Sequence, residues 1–158
     1  MTAIKICGIT READALAAAH SGANAIGLVF YGRSPRHVTP ARAAQLLRVL
    51  PPFVTSVGLF VDAAADDVRQ TLAAARVDLL QFHGDESPGY CGQFGVPYLK
   101  AVRVRPGLDL LQYALDFRDA KALLISINPI GAPKFQPFLH VLIQRHQHNL
   151  NLCSAALT

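Results

Sequence analysis

No tryptophan, a single methionine and only three cysteines occur in this chain of 158 residues, and not one carboxylate follows Asp119. The cysteines stand at positions 7, 91 and 153 with no CxxC spacing. An odd, scattered set does not suggest a disulfide framework, so free thiols are expected. Nowhere do about 18 apolar residues run together without a charge, which excludes a membrane-spanning helix. The N-terminus Met1-Thr2-Ala3-Ile4-Lys5 lacks the basic and apolar regions of a signal peptide, so a cytoplasmic protein without a membrane partner is expected. The net charge is +4, but Lys and Arg are spread along the chain rather than gathered on one stripe. That argues against a nucleic-acid partner and for small anionic ligands. With 51% of positions hydrophobic and 16% charged, the chain has the means to bury the core of a single domain.

Short runs rich in Val, Ile and Leu alternate with Ala-rich segments of helical spacing, the rhythm of a parallel sheet with crossover helices. Strands are expected at 4–7, 24–30, 54–61, 77–82, 98–104 and 121–127. Helices are expected at 11–20, 40–50, 64–75, after Glu86 to about Phe94, and at 108–115. Thr39-Pro40 marks one helix start, a capping hydroxyl followed by proline in the first turn. Asp62 stands near the start of the third helix. The strands are continuous apolar runs, so both faces of the sheet should be covered.

Composition breaks near residue 120. Residues 121–158 hold Lys121, Lys134 and Arg145, three histidines, three asparagines and no acid. The stretch Pro129-Ile130-Gly131-Ala132-Pro133-Lys134-Phe135-Gln136-Pro137 is too rich in proline to continue the rhythm. Residues 126–158 therefore read as an atypical tail of the single domain 1–158, one that need not be well ordered.

Three strand ends carry chemistry. Lys5-Ile6-Cys7-Gly8-Ile9-Thr10 ends the first strand on a thiol and follows it with a glycine, which lets backbone approach a ligand. A cysteine there is either a small core residue or a reactive group at the ligand-binding end of a parallel strand. The loop Tyr31-Gly32-Arg33-Ser34-Pro35-Arg36-His37-Val38 offers arginine forks that match a carboxylate or phosphate, or else a solvated basic surface. In Gln81-Phe82-His83-Gly84-Asp85-Glu86, His83 follows the fourth strand, where it either braces the loop or touches a ligand. In a parallel sheet these ends converge on one face.

Taken in order and spacing, Lys5-Ile6-Cys7-Gly8-Ile9-Thr10-Arg11, Gly27-Leu28-Val29-Phe30, Ser34-Pro35-Arg36-His37-Val38, Val57-Gly58-Leu59-Phe60-Val61 and Gln81-Phe82-His83-Gly84-Asp85 resemble phosphoribosylanthranilate isomerase. The resemblance covers about residues 3 to 125. It implies an incomplete (β/α)8 TIM-type barrel of five to six parallel strands with outer helices. It also implies an enzyme of tryptophan biosynthesis that converts N-(5-phosphoribosyl)anthranilate to the 1-amino-1-deoxyribulose phosphate by an Amadori rearrangement, with no metal or organic cofactor. On that resemblance Cys7 is the general base that takes the C2 proton, Arg36 holds the anthranilate carboxylate and His83 lines the pocket. The oligomeric state is not implied.

Two departures stand out. The family's general acid is an aspartate ending strand six, and here the stretch reads Leu123-Leu124-Ile125-Ser126-Ile127-Asn128, with Ser126 at that place. The family's phosphate site lies in glycine-rich loops after strands seven and eight, and beyond residue 128 only Gly131 is on offer. The leading expectation is thus a family member by descent, truncated or frame-shifted near residue 125 and impaired as an isomerase. The alternatives are a non-catalytic α/β module that binds an anion through Arg33, Arg36 and His83, and a different sugar-phosphate isomerase with a rearranged acid.

Overall fold

The computed structural model describes residues 3–127, 139–146 and 149–156, with side chains for residues 3–125. The elements run β1 (Lys5–Cys7), α1 (Glu12–His20), β2 (Ala25–Val29), α2 (Pro40–Arg48), β3 (Thr55–Phe60), α3 (Ala65–Ala74), β4 (Leu79–Phe82), α4 (Pro88–Gly92), β5 (Tyr98–Arg103), α5 (Leu110–Asp116), β6 (Ala122–Ile127), β7 (Leu139–His146) and β8 (Asn149–Ala156). The first six strands pair in chain order and all in parallel, each with its predecessor. This is the expected incomplete barrel, built from six strands. The fourth helix stops at Gly92 rather than near Phe94, and β4 starts at Leu79 rather than Val77.

Beyond β6 the rhythm changes. β7 pairs with β6 and β8 with β7, both antiparallel, so the sheet has eight strands although only six belong to the parallel arc. A return to the same sheet in parallel needs a crossover of about a dozen or more residues, usually a helix. Residues 128–138 carry three prolines, which a crossover helix does not tolerate in its interior. The stretch from Pro129 to Pro137, with Gly131, lies outside the described residues, as does the side chain of Ser126.

Alternation along the strands sorts their side chains into two layers. Ile26, Leu28, Phe60, Leu80, Phe82, Tyr98, Val102, Leu123 and Ile125 join Ala15, Ala43, Leu46, Val68, Cys91 and Ala114 of the helices in one continuous core. The residues of opposite parity, such as Val29, Val57, Leu59, Leu99, Ala101 and Leu124, are buried too but belong to the inner face. Burial on both faces is why these strands read as unbroken apolar runs. The aromatic rings of Phe30, Phe60, Phe82, Tyr90, Phe94 and Tyr98 stack or meet edge to face through the helix layer.

Helix starts follow local chemistry. Thr39 Oγ1 accepts from Arg42 N with Pro40 behind it, Ser87 Oγ accepts from Tyr90 N, and Asp109 Oδ1 accepts from Leu111 N and Gln112 N. Asp62 does not serve α3 in this way. Its Oδ1 accepts from Asp85 N at 2.7 Å, and the residue sits at φ 46, turned from one strand-end loop toward the next. The first turn of α3 carries its own acids, Asp66 and Asp67.

Candidate active site

Because β1 to β6 are parallel, their C-terminal ends lie on one rim, and the loops that follow them build whatever site the fold offers. Cys7 ends β1, half-buried. Its register partner on β2 is Gly27, and that glycine is dictated by packing. A Cβ there would lie 2.7 Å from Cys7 Sγ and 3.0 Å from Lys5 Nζ, so thiol and ammonium, which both reach over the bare backbone of Gly27, are at most 5.7 Å apart. Lys5 and Cys7 are two residues apart on one strand and share a face. Lys5 is a candidate site residue that the motif reading passed over, and its signal was that spacing.

Arg36 reaches the end of β1 from the loop after β2. Its Nη1 donates to the Cys7 carbonyl at 3.1 Å. The side chain lies over Gly8, which has φ +85, and a Cβ on Gly8 would strike Arg36 Cδ with Nε at 2.8 Å and Nη1 at 2.9 Å. Gly8 therefore supplies both the left-handed backbone and the space that the guanidinium needs. The carbonyl of Cys7 and the alcohol of Ser34, whose Oγ accepts from Arg36 N at 3.2 Å, fix the arginine on the thiol's own strand end.

His83 follows β4, half-buried, with its N–H donating to Phe60 O at 2.9 Å. It stands on the same rim as Cys7 and Arg36, three strands along the sheet, about 14 Å at the usual strand spacing. The loop it opens is fixed from beneath. Glu86, next to fully buried, accepts from Asp62 N and Gly84 N, each at 2.9 Å, and Lys100 Nζ donates to Glu86 Oε2 at 2.7 Å and to Gly84 O at 2.6 Å. Lys100 also lies 5.7 Å from the centre of the Phe117 ring. Gly84 is again required, since a Cβ would run into the Asp62 carboxylate. Deeper on the inner face, Gln81 Oε1 is buried without a hydrogen-bond partner, an acceptor left over two residues below His83.

The two described thiols differ in kind. Burial pushes the Cys91 thiol up to about 12, with Glu86 adding to the rise and Lys100 opposing it. It packs in the helix layer as a small apolar group. Cys7 is reached by solvent. Iodoacetamide is expected to modify Cys7 in the native protein and to spare Cys91 until denaturant is added; peptide mass spectrometry reads each site, and equal native labelling of both would contradict the assignment. Among the described residues no three of His, Cys, Asp and Glu stand close enough to hold a metal ion, and no helix is long and apolar enough to cross a membrane.

The family model described as N-(5'phosphoribosyl)anthranilate (PRA) isomerase matches residues 4–131. The N-(5'-phosphoribosyl)anthranilate isomerase of Nitrosospira multiformis is 55% identical over 130 residues, 82% of this chain and 62% of that protein. That of Dechloromonas aromatica is 57% identical over 124 residues, 78% of this chain and 60% of its own length. Among solved structures, phosphoribosyl anthranilate isomerase from Thermotoga maritima superposes with a TM-score of 0.76 at 34% identity, covering 85% of this chain and 64% of that one. A second, in complex with reduced 1-(o-carboxyphenylamino)-1-deoxyribulose 5-phosphate, gives 0.74 at 34% identity over 82% of this chain and 66% of that one. The chain thus spans about three fifths of the length of the relatives it matches. The parallel strands with their helices and these matches agree: the chain belongs to the N-(5'-phosphoribosyl)anthranilate isomerase family.

Proposed function

We propose that the chain binds N-(5-phosphoribosyl)anthranilate at the rim carrying Cys7, Arg36 and His83 and supports its Amadori rearrangement in tryptophan biosynthesis, in the cytoplasm. The observation that carries the reading is the thiol and the guanidinium fixed together at the end of β1, with Lys5 beside the sulfur. In the reaction, protonation of the furanose oxygen breaks its bond to C1 and leaves an iminium between C1 and nitrogen. Cys7, as thiolate, takes the C2 proton; the released pair forms the C1–C2 double bond and the iminium electrons return to nitrogen. Transfer of the enol proton to C1 completes the aminoketose. Nothing is oxidised or reduced overall, so no redox cofactor enters. Arg36 pairs with the anthranilate carboxylate in the bidentate manner its planar fork allows, and His83 lines the pocket.

A second reading is a module that binds the same anions without turnover. It is favoured by the end of β6, where Ser126 replaces the acid the family resemblance implies and no carboxylate follows in the chain.

Titration of the purified chain with the reduced carboxyphenylamino-deoxyribulose phosphate tests the shared core of both readings. Saturable binding is expected, weakened on the order of 10- to 100-fold by Arg36→Met, as befits loss of a charge-assisted pair. No binding, or binding indifferent to Arg36, would refute the site. Growth of a tryptophan-requiring host on this chain would decide for the catalytic reading over the module.

A further inference from the structure

Two guanidinium groups on the rim are held by the same construction. Arg36 Nη1 donates to the carbonyl of Cys7, the last residue of β1, and Arg103 Nη2 donates to the carbonyl of His83, the residue after β4, both at 3.1 Å. Arg103 is itself the last residue of β5, of the same parity as the inner-face residues Leu99 and Ala101, and it is exposed. A carbonyl takes one of five N–H donors and none of the charge. Elsewhere Arg11, Arg42 and Arg69 are each paired with a carboxylate. Arg33, Arg48, Arg76 and Arg105 lack such a partner among the described residues, and no hydrogen bond holds their guanidiniums either. Arg36 and Arg103 thus share one arrangement, a guanidinium held by a backbone carbonyl at a strand end and not by a carboxylate. Of the acids on the adjoining loops, Glu86 is engaged by Lys100 and two backbone amides and Asp62 by Asp85 N, while the exposed Asp85 forms no ion pair with either arginine.

We propose that Arg103 is a second oxyanion-binding residue of this site, taking a carboxylate or phosphate oxygen of the ligand that Arg36 holds from the other side of the mouth. The assignment rests on the reading of the rim as a binding site given above. Physically, each tether removes the freedom that makes an exposed arginine a weak partner, so the guanidinium meets an anion without first being ordered. The two tethers stand on β1 and β4, about 14 Å apart along the curved sheet and closer across it. A ligand with an aromatic carboxylate at one end and a phosphomonoester at the other has charges for both.

The test uses the full chain and three probes: the reduced carboxyphenylamino-deoxyribulose phosphate, anthranilate and inorganic phosphate. Arg103→Met is expected to weaken the first on the order of 10- to 100-fold, with partial recovery in Arg103→Lys, while the melting temperature stays at the wild-type value. A parallel loss for anthranilate assigns Arg103 to the carboxylate, and for phosphate to the phosphomonoester. Arg103→Met binding all three probes as wild type does would overturn the proposal, as would a wild-type chain that binds none. If the wild-type chain ignores the reduced compound yet binds phosphate or anthranilate through Arg103, the proposed reaction fails and the oxyanion role stands.

Discussion

Lys100→Met is expected to destabilise the chain by about 3–5 kcal/mol, the usual result of stranding one partner of a buried ion pair. Lys100 and Glu86 have side chains only 1% and 3% exposed, and their 2.7 Å contact lies in the layer between sheet and helices. Methionine fills much the same volume, so little of the loss comes from a cavity. It comes from Glu86, whose carboxylate would remain dry with two backbone amides and no cation. Removing both charges tests this directly: Lys100→Met with Glu86→Leu should recover part of the single-variant loss, although Asp62 N and Gly84 N then lose their acceptor. Urea midpoints of the four proteins give the cycle. A single variant within about 0.5 kcal/mol of wild type, the range of an ordinary surface substitution, would show that Glu86 is not held by this lysine. Because Glu86 also ties Asp62 to Gly84, the substitution should loosen the loop that opens with His83, and weaker binding of the reduced ligand should accompany it.

The Lys100–Glu86 pair marks the limit of what the sequence made legible. A lysine in the middle of the apolar strand Tyr98-Leu99-Lys100-Ala101-Val102 is a warning that a buried charge needs a partner. That partner stands 14 residues earlier, in a loop read only for His83. Periodicity finds elements and faces but says nothing of which loop folds under which strand. The same holds for Arg103, read as the end of a strand, where its hold on the His83 carbonyl depends on β4 and β5 being neighbours. The parallel arc itself was legible because both faces of each strand are buried, which writes the strands as unbroken Val, Ile and Leu runs between helices. The antiparallel β7 and β8 were missed for a related reason. Leu139-His140-Val141-Leu142-Ile143 is a strand-like run, and Asn149-Leu150-Asn151-Leu152 alternates, but reading residues 126–158 as an atypical tail, because of their prolines and lost carboxylates, left both unassigned. Cys7, Arg36 and His83 were singled out as candidates through strand-end position and resemblance; the Gly8 and Gly27 packing that frames the first two became visible only with the register.

Ser126→Asp is expected to raise turnover of N-(5-phosphoribosyl)anthranilate by roughly 10²- to 10⁴-fold over the chain as it stands, about 3–5 kcal/mol of barrier. Ring opening needs a proton at the furanose oxygen as its bond to C1 breaks. A serine hydroxyl, with its very high pKa, is a poor donor at neutral pH, and the chain offers no carboxylate beyond Asp119 to replace it. Position favours residue 126 for the repair. It lies near the end of β6 in register with Arg103, on the rim shared by the ends of β1 and β4. Asp62 is a poorer choice because its carboxylate is already the acceptor for Asp85 N. The background is set by Cys7→Ala in the same chain: if thiol and carboxylate act as base and acid of one reaction, the gain from Ser126→Asp should vanish when Cys7 is absent. A gain that survives Cys7→Ala would mean that the aspartate acts without that base. No gain at all, with binding of the reduced ligand intact, would place the barrier in the positioning of the sugar rather than in the missing proton, since a misplacement of about 1 Å alone costs on the order of 10²-fold.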